Sequence, residues 1–219
     1  ITPGISILNR QYVSRPELIG DDTANHRNFT LFLGNLSLPR NNFYTSNYFY
    51  EFGRTENIPY GFMLNLLGGF EAGERYNRFY SGFYISASDY IPRAGYLYAD
   101  IGSGGYIRNG RIEEGLIECT VNYSSELFRI RHNKVRIFSY ITYDRGINRA
   151  AEDYLRFDGN NGIKGFSSEA VTGNQRLSFQ VEPVVFTPWV FLGFRFVFFA
   201  YAAIGVIGKE ENYILDKQL

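Results

Sequence analysis

The chain is poor in the residues from which disulfide frameworks, metal centres and many catalytic sites are built. Its 219 residues include one cysteine, Cys119, and two histidines, His26 and His132. A single cysteine excludes an internal disulfide framework, and the two histidines stand in unrelated polar contexts. The hydrolase nucleophile elbow, the His-Glu-x-x-His zinc motif and the phosphate-cradling loop are also missing. The sequence therefore predicts no enzymatic activity, no cofactor and no metal site.

The chain also lacks an excess of charge of either sign and an N-terminal export signal. Its 22 basic and 22 acidic residues give a formal net charge of zero, so the charge balance gives no argument for a nucleic-acid partner. No charged region, apolar core and cleavage site follow one another at the N-terminus. If the protein is exported, it needs such a signal, and in that case we expect the chain to be the mature protein or a fragment.

Aromatic residues, by contrast, are abundant, with 18 tyrosines and 20 phenylalanines. Aromatic residues favour strands, and in membrane barrels they form girdles at both interfaces. Strand-like runs alternate with clusters of Gly, Pro and Asn, a pattern typical of an all-β sandwich or barrel. The predicted strands cover 28–38, 43–52, 60–69, 79–88, 95–104, 115–123, 134–143 and 176–181. The predicted turns between the early strands lie at 39–42, 53–59, 69–75, 89–93 and 108–110.

Alternation within the strands gives each one an apolar and a polar face. The apolar set in two of them is Ile117, Val121, Leu177, Phe179 and Val181, and the polar set is Glu118, Thr120, Ser178, Gln180 and Glu182. A soluble sandwich turns its apolar faces inward, whereas a membrane barrel turns them toward lipid. The alternation by itself leaves both architectures open.

Residues 184–208 are nearly all apolar and are long enough for a transmembrane helix. Pro188, Gly193 and Arg195 argue against a helix and favour two strands joined by a turn at 188–193. In the strand interpretation Arg195 faces a polar lumen. Val197, Phe199, Tyr201 and Ala203 then share that face, and Phe194, Phe196, Phe198 and Ala200 face lipid.

A polar insert at residues 144–175 separates two of the predicted strands. Connections in compact domains are usually far shorter, so an insert of this length is typical of a functional loop. Its glycines permit positive φ and close approach of the backbone. The predicted tip, Gly162-Ile163-Lys164-Gly165-Phe166, combines an apolar residue, a cation, a glycine and an aromatic ring.

The segment from Gly162 to Glu182, GIKGFSSEAVTGNQRLSFQVE, resembles the signature of the bacterial surface antigen superfamily. That superfamily includes the BamA- and TamA-type outer-membrane assembly factors. Its loop tip carries Val or Ile, then Arg, Gly and an aromatic residue, and a strand with an inward glutamate follows. Glu182 stands at the position of this glutamate, and Lys164 replaces the arginine.

A second motif of the superfamily, aromatic-x-Asp-x-Gly on the next strand, is matched by Tyr201, Ala203 and Gly205. Ala203 replaces the aspartate. Because both charged positions of the tip and of this strand are changed, the interior ion pair of the family cannot be carried over as such.

The resemblance implies an antiparallel transmembrane β-barrel in the outer membrane of a Gram-negative bacterium. Residues 1–219 would form one partial barrel domain, about ten strands of a sixteen-stranded barrel, with residues 144–175 folded inward. The implied function is assembly and insertion of outer-membrane proteins, or protein translocation. The implied partners are outer-membrane lipid, client outer-membrane proteins and other subunits of the assembly machinery. Because the final strands and the POTRA domains of the family are missing, we expect truncation at both ends.

Three other functions remain open: a barrel that anchors or exports a fused enzyme, a passive porin, and a soluble β-domain that binds a partner. Within the barrel interpretation, we expect the loop tip to dock on the inner wall near Glu182. Phe166 would supply apolar contact, and Gly165 would lie where the wall is close. Lys164 would pair with Glu182 at a coupling of roughly 1–2 kcal/mol, or else point into lumen water.

Overall fold

The computed structural model describes residues 1–14, 27–149, 154–157, 163–166, 168 and 171–208. Within these residues the chain forms strands and no helix. The strands are β1 (Thr2–Arg10), β2 (Phe29–Asn47), β3 (Thr55–Gly73), β4 (Asn77–Ile91), β5 (Gly95–Arg108), β6 (Arg111–Ser125), β7 (Phe128–Ile130), β8 (Asn133–Ile147), β9 (Leu155–Arg156), β10 (Thr172–Gly173), β11 (Gln175–Phe191), β12 (Phe194–Phe199) and β13 (Ala202–Gly208). The prediction of an all-β chain is confirmed.

Eleven of these strands form one antiparallel sheet. Its order is β1-β2-β3-β4-β5-β6-β8-β11-β12, with β7 also paired to β8 and β13 also paired to β11. β12 and β13 lie along opposite halves of β11 and together form one edge, while β1 forms the other. Across the described residues these edges do not pair with each other, so the sheet is open. β9 and β10 form a separate two-stranded sheet.

The predicted turn at 39–42 is wrong, because β2 runs without a break to Asn47. Pro39 lies inside this strand opposite Met63 of β3. Proline is tolerated there because the pairing of β1 with β2 ends at Ser37, so no neighbour needs an N–H group on that side of Pro39. The chain turns instead at residues 48–54, which overlap the end of the predicted strand 43–52 and the start of the predicted turn 53–59.

Residues 184–208 form strands except at 192–193 and 200–201, so the prediction of strands joined by a turn is confirmed and the alternative of a transmembrane helix is excluded for this segment. β11 continues past Pro188, which falls in an irregularity of the pairing with β12 between Phe186 and Val190. The tight turn is formed by Leu192 and Gly193, with φ of 49° and 83°. A two-residue hairpin turn requires positive φ at these positions. No described helix is long and apolar enough to cross a membrane.

The sheet exposes its apolar face and buries much of its polar face. Residues that are direct partners on neighbouring strands share a face, so the register assigns the two sets. The first face carries large side chains that are 36–46% exposed: Phe62, Leu66, Phe83, Ile101, Val121, Ile141 and Phe179. The second carries polar side chains that are at most 8% exposed: Glu71, Arg78, Ser86, Ser124, Arg136, Asp144 and Ser178. This burial is the reverse of that in a soluble sandwich.

The polar face is buried because the sheet curls around it. The turn between β2 and β3 reaches β8, although four strands separate β2 from β8 in the sheet. Arg136 Nε of β8 donates to the carbonyl of Tyr48 at 3.1 Å, and Phe49 packs edge-on against Phe138 at a centroid distance of 5.8 Å. The free Cys119 is half-buried on the apolar face, where it follows the alternation of its strand.

Candidate functional site

The floor of the candidate site is formed by β11 and β13 on the polar face. Ser178 is directly opposite Gly205, and Gln180 is opposite Ala203. Since side chains two residues apart on a strand share a face, Glu182 and Tyr201 lie on this side too. The alternation in the sequence therefore placed the polar residues of β11 on the correct face.

The loop packs on this floor at the glycine of the second motif. A Cβ at Gly205 would lie 2.6 Å from Cζ of Phe157 and 2.7 Å from Cδ1 of Ile163. Both side chains therefore occupy the space that any other residue at position 205 would need. Phe157 is only 3% exposed, although nothing in its sequence context distinguishes it from the other phenylalanines. The apolar contact of the docked loop comes from Ile163 and Phe157.

Tyr201 links the loop backbone to the floor through its hydroxyl group. This hydroxyl accepts a hydrogen bond from the backbone N–H of Lys164 at 2.9 Å and donates one to Oε1 of Gln180 at 3.2 Å. A tyrosine hydroxyl can accept and donate at once, so it fixes the height of the tip above β11. The motif residues Tyr201 and Gly205 thus both contact the loop.

Lys164 and Glu182 are also brought together, with Nζ 3.5 Å from Oε2. The lysine side chain is 66% exposed and the glutamate 21%. Lys164 Nζ lies 5.7 Å from the centre of the Tyr201 ring as well. The lysine therefore pairs with Glu182 while most of its side chain stays in contact with solvent, a combination of the two arrangements considered from the sequence.

This exposure lowers the expected strength of the ion pair. In a double-mutant cycle with Lys164→Ala and Glu182→Ala we expect a coupling of about 0.2–1 kcal/mol, the range of solvent-exposed pairs, rather than the roughly 1–2 kcal/mol expected from the sequence. Unfolding in urea at low and high salt measures it. A coupling that exceeds this range and does not fall with salt would contradict the solvent-exposed geometry.

Other residues of the predicted tip have different roles from those expected. Nothing lies within 4 Å of a Cβ placed on Gly165, whose φ is +78°. This glycine serves the turn, closed by the N–H of Phe166 on the carbonyl of Ile163 at 3.2 Å, and does not mark a close wall. Phe166 itself is exposed. Gly162 lies outside the described residues, as does His26.

Arg195 is not part of the loop site. It lies on β12, opposite Val190, at the end of the sheet away from the loop. Its guanidinium carbon is 5.3 Å from the centre of the Phe52 ring. The prediction that Arg195 is a polar-face residue agrees with this contact, but Arg195 and Glu182 belong to separate sites.

An ion pair anchors the base of the loop. The described part of the loop lies between β8 and β11, at 148–149, 154–157, 163–166, 168 and 171–174, so the predicted bounds of 144–175 extended into both strands. Arg176 donates through Nε to Asp144 and through Nη1 to the carbonyl of Arg156, the latter at 2.6 Å. Asp144 is 2% exposed. One arginine thus connects the two strands and the loop.

A larger charged cluster lies on the polar face at the loop end of the sheet. Glu71, fully buried, accepts hydrogen bonds from Arg27 and from Arg78. Arg78 also donates to Glu114 at 2.8 Å and lies over the Tyr106 ring at 3.5 Å. The sequence missed this cluster because it placed residue 71 in a turn, whereas β3 extends to Gly73 and pairs Glu71 with Arg78.

Within the described residues, no three His, Cys, Asp or Glu side chains are grouped so that they could hold a metal ion. Comparison of the chain with protein-family models, with curated proteins and with solved structures found no match. The argument for function therefore starts from the two faces of the sheet, from the docked loop and from the motifs of the sequence.

Proposed function

We propose that this chain forms part of the wall of an outer-membrane β-barrel. The observation that carries the proposal is the reversed burial of the sheet, with large apolar side chains exposed and charged side chains buried. Such an apolar surface is unfavourable in water. Because its exposed side chains continue across neighbouring strands from β3 to β11, it is typical of a membrane or protein interface. Against lipid it needs no further cover, and the polar face lines a lumen.

The length of the strands supports the same proposal. β4, β5, β6 and β8 have 14–15 residues and β2 and β3 have 19. A tilted strand needs about 9–11 residues to cross the hydrocarbon core. The backbone groups at the free edges of β1 and of β12–β13 would need strand partners in lipid, since water is absent there.

Within this wall, we propose that the docked loop serves the assembly of client outer-membrane proteins or the translocation of proteins. The support is the resemblance to the surface antigen superfamily together with the contacts of its two motifs. Ile163 and Lys164 of the tip contact Gly205, Tyr201 and Glu182. The action would be mechanical, through the position of the loop in the lumen, with outer-membrane lipid and client proteins as partners.

The membrane proposal is tested by a pair of arginine substitutions at adjacent positions of β6. Val121 lies on the apolar face and is exposed, and Asn122 lies on the polar face. Near mid-membrane, Val121→Arg should cost about 2–4 kcal/mol because the charge would enter lipid. Asn122→Arg should cost far less because its side chain reaches the lumen.

The measurement is the yield of folded, detergent-extractable protein in the membrane fraction, followed by unfolding in lipid vesicles. The two variants share their strand, their added charge and nearly their position, so they serve as controls for each other. Equal yields and equal stability, or a protein that stays monomeric in water without detergent, would show that the apolar face does not contact lipid.

A further inference from the structure

A pocket lies on the polar face at the end of the sheet opposite the loop. Three aromatic rings form its floor: Tyr48 and Phe52 of the β2–β3 turn and Phe186 of β11. Their centroids are 5.2–5.8 Å apart and the rings meet edge to face. The cavity above them has a volume of about 260 Å³.

Among the described residues, cations line this pocket and no acid does. Lys134 Nζ lies 3.8 Å from the centre of the Tyr48 ring, and the Arg195 guanidinium lies over Phe52. His132 lines the cavity as well, and none of the nine described residues that line it is Asp or Glu. Among the described residues, Lys134 and Arg195 form no ion pair. At the loop end, by contrast, the buried arginines Arg27 and Arg78 are matched by glutamates.

The backbone around the pocket is held in place by polar contacts. Tyr48 has a φ of 59°, a strained conformation for a residue other than glycine. Arg136 Nε donates to its carbonyl, and the Glu56 carboxylate accepts the N–H groups of Phe49 and Tyr50 at 2.8–3.1 Å. On β11, the buried Thr187 donates to the carbonyl of Phe196 at 2.9 Å. These hydrogen bonds fix the backbone segments that carry the side chains of the pocket.

An apolar hairpin borders the pocket. It is the turn between β11 and β12, whose large side chains are 62–81% exposed: Trp189, Val190, Phe191, Leu192 and Phe194. Val190 also lines the cavity. Aromatic residues next to basic ones are enriched where a membrane meets water, because the ring lies among the acyl chains and the cation near the phosphates.

We propose that this pocket, which lies among the turns at the rim of the sheet and beside the 189–194 hairpin, binds the headgroup of an anionic phospholipid at the membrane surface. Lys134 and Arg195 donate hydrogen bonds to the phosphate oxygens, and such bonds are strong because donor and acceptor are both charged. The acyl chains lie along the exposed 189–194 hairpin. The anion supplies the negative charge that no described lining side chain supplies. This inference rests on the proposed membrane function, since that function brings the hairpin to a lipid interface.

The full chain in a non-ionic detergent allows a direct binding test. Trp189 is the only tryptophan, and its ring lies 6.1 Å from that of Phe198 on the hairpin that would contact the acyl chains, so its fluorescence reports lipid bound at the hairpin. We expect saturable binding of a short-chain phosphatidylglycerol, with phosphatidylcholine of the same chain length and inorganic phosphate each binding at least about tenfold more weakly.

Lys134→Gln with Arg195→Gln should weaken phosphatidylglycerol binding by about 10- to 100-fold, the range expected for charged hydrogen bonds. The matched control is Arg93→Gln with Arg111→Gln, which removes the same charge from exposed positions at two other turns and should leave the affinity within about twofold. Equal binding of phosphatidylcholine, equal binding of inorganic phosphate, or an equal loss in the two double variants would overturn the proposal.

The outcome is separable from that of the proposed function. Partitioning of the same preparations between detergent and aqueous phases reports on membrane affinity without reference to the pocket. A protein that partitions into detergent but binds both lipids equally refutes the headgroup site alone. A protein that remains in the aqueous phase refutes the membrane wall, whatever the fluorescence titration shows.

Discussion

Replacement of Glu71 by alanine is expected to lower the free energy of unfolding by about 3–5 kcal/mol, the cost of breaking a buried ion pair by removing one partner. Glu71 is fully buried and accepts from both Arg27 and Arg78. Without it, two arginines whose side chains are at most 5% exposed would keep their charges with too few acceptors. The loop end of the sheet should lose order first.

Urea unfolding of the protein in lipid vesicles measures this loss. Glu51→Ala is the matched control, because Glu51 pairs with Arg54 at 3.1 Å but both side chains are more than half exposed; its cost should stay below about 1 kcal/mol. Glu71→Gln keeps the shape of the side chain and removes the charge, so it should lie between the two. A stable Glu71→Ala variant would show that the remaining partners, which include Glu114 at 2.8 Å and Glu113 at 3.6 Å from Nη1 of Arg78, are sufficient for the arginines.

The second large effect is expected from Gly205→Leu, which should expel the loop tip from the polar face. The space of its side chain is already filled by Phe157 and Ile163, and overpacking of this kind costs about 1–3 kcal/mol. That cost would raise the undocked fraction of the loop by about 5- to 150-fold. Lys164 would lose its backbone contact with Tyr201 at the same time.

Limited trypsin digestion after Arg156 and Lys164 reports the undocking, and insertion of a client outer-membrane protein in proteoliposomes reports its functional consequence. Both should change in Gly205→Leu, with faster cleavage and slower insertion. Gly68→Leu is the control, since a Cβ at Gly68 meets nothing within 4 Å. Faster cleavage with unchanged insertion would separate the docked loop from the proposed assembly function. Unchanged cleavage would contradict the packing at Gly205.

Much of the local structure was readable from the sequence because strand alternation is a local property. The apolar and polar sets of β6 and β11 share faces as predicted, since successive side chains of a strand point to opposite sides whatever its neighbours are. The long loop was also predicted from the polar, glycine-containing composition of the insert, whereas the position of its tip near Glu182 was implied by the resemblance to the surface antigen superfamily. The ends of the strands were predicted less accurately. Pro39 is typical of a turn, and it is tolerated in β2 only because β1 does not pair with β2 beyond Ser37.

The sequence by itself determined that the chain forms strands with one apolar and one polar face, joined by a long glycine-containing loop. Only the tertiary structure decided which face is buried, because curling of the sheet depends on contacts between residues far apart, such as Arg136 with Tyr48. It also decided the pairing of Glu71 with Arg78, the packing of Phe157 on Gly205, and the pocket that Lys134 and Arg195 share with no described acid. Each of these depends on strand register and on long-range packing, and a shift of one residue in register moves every side chain to the other face.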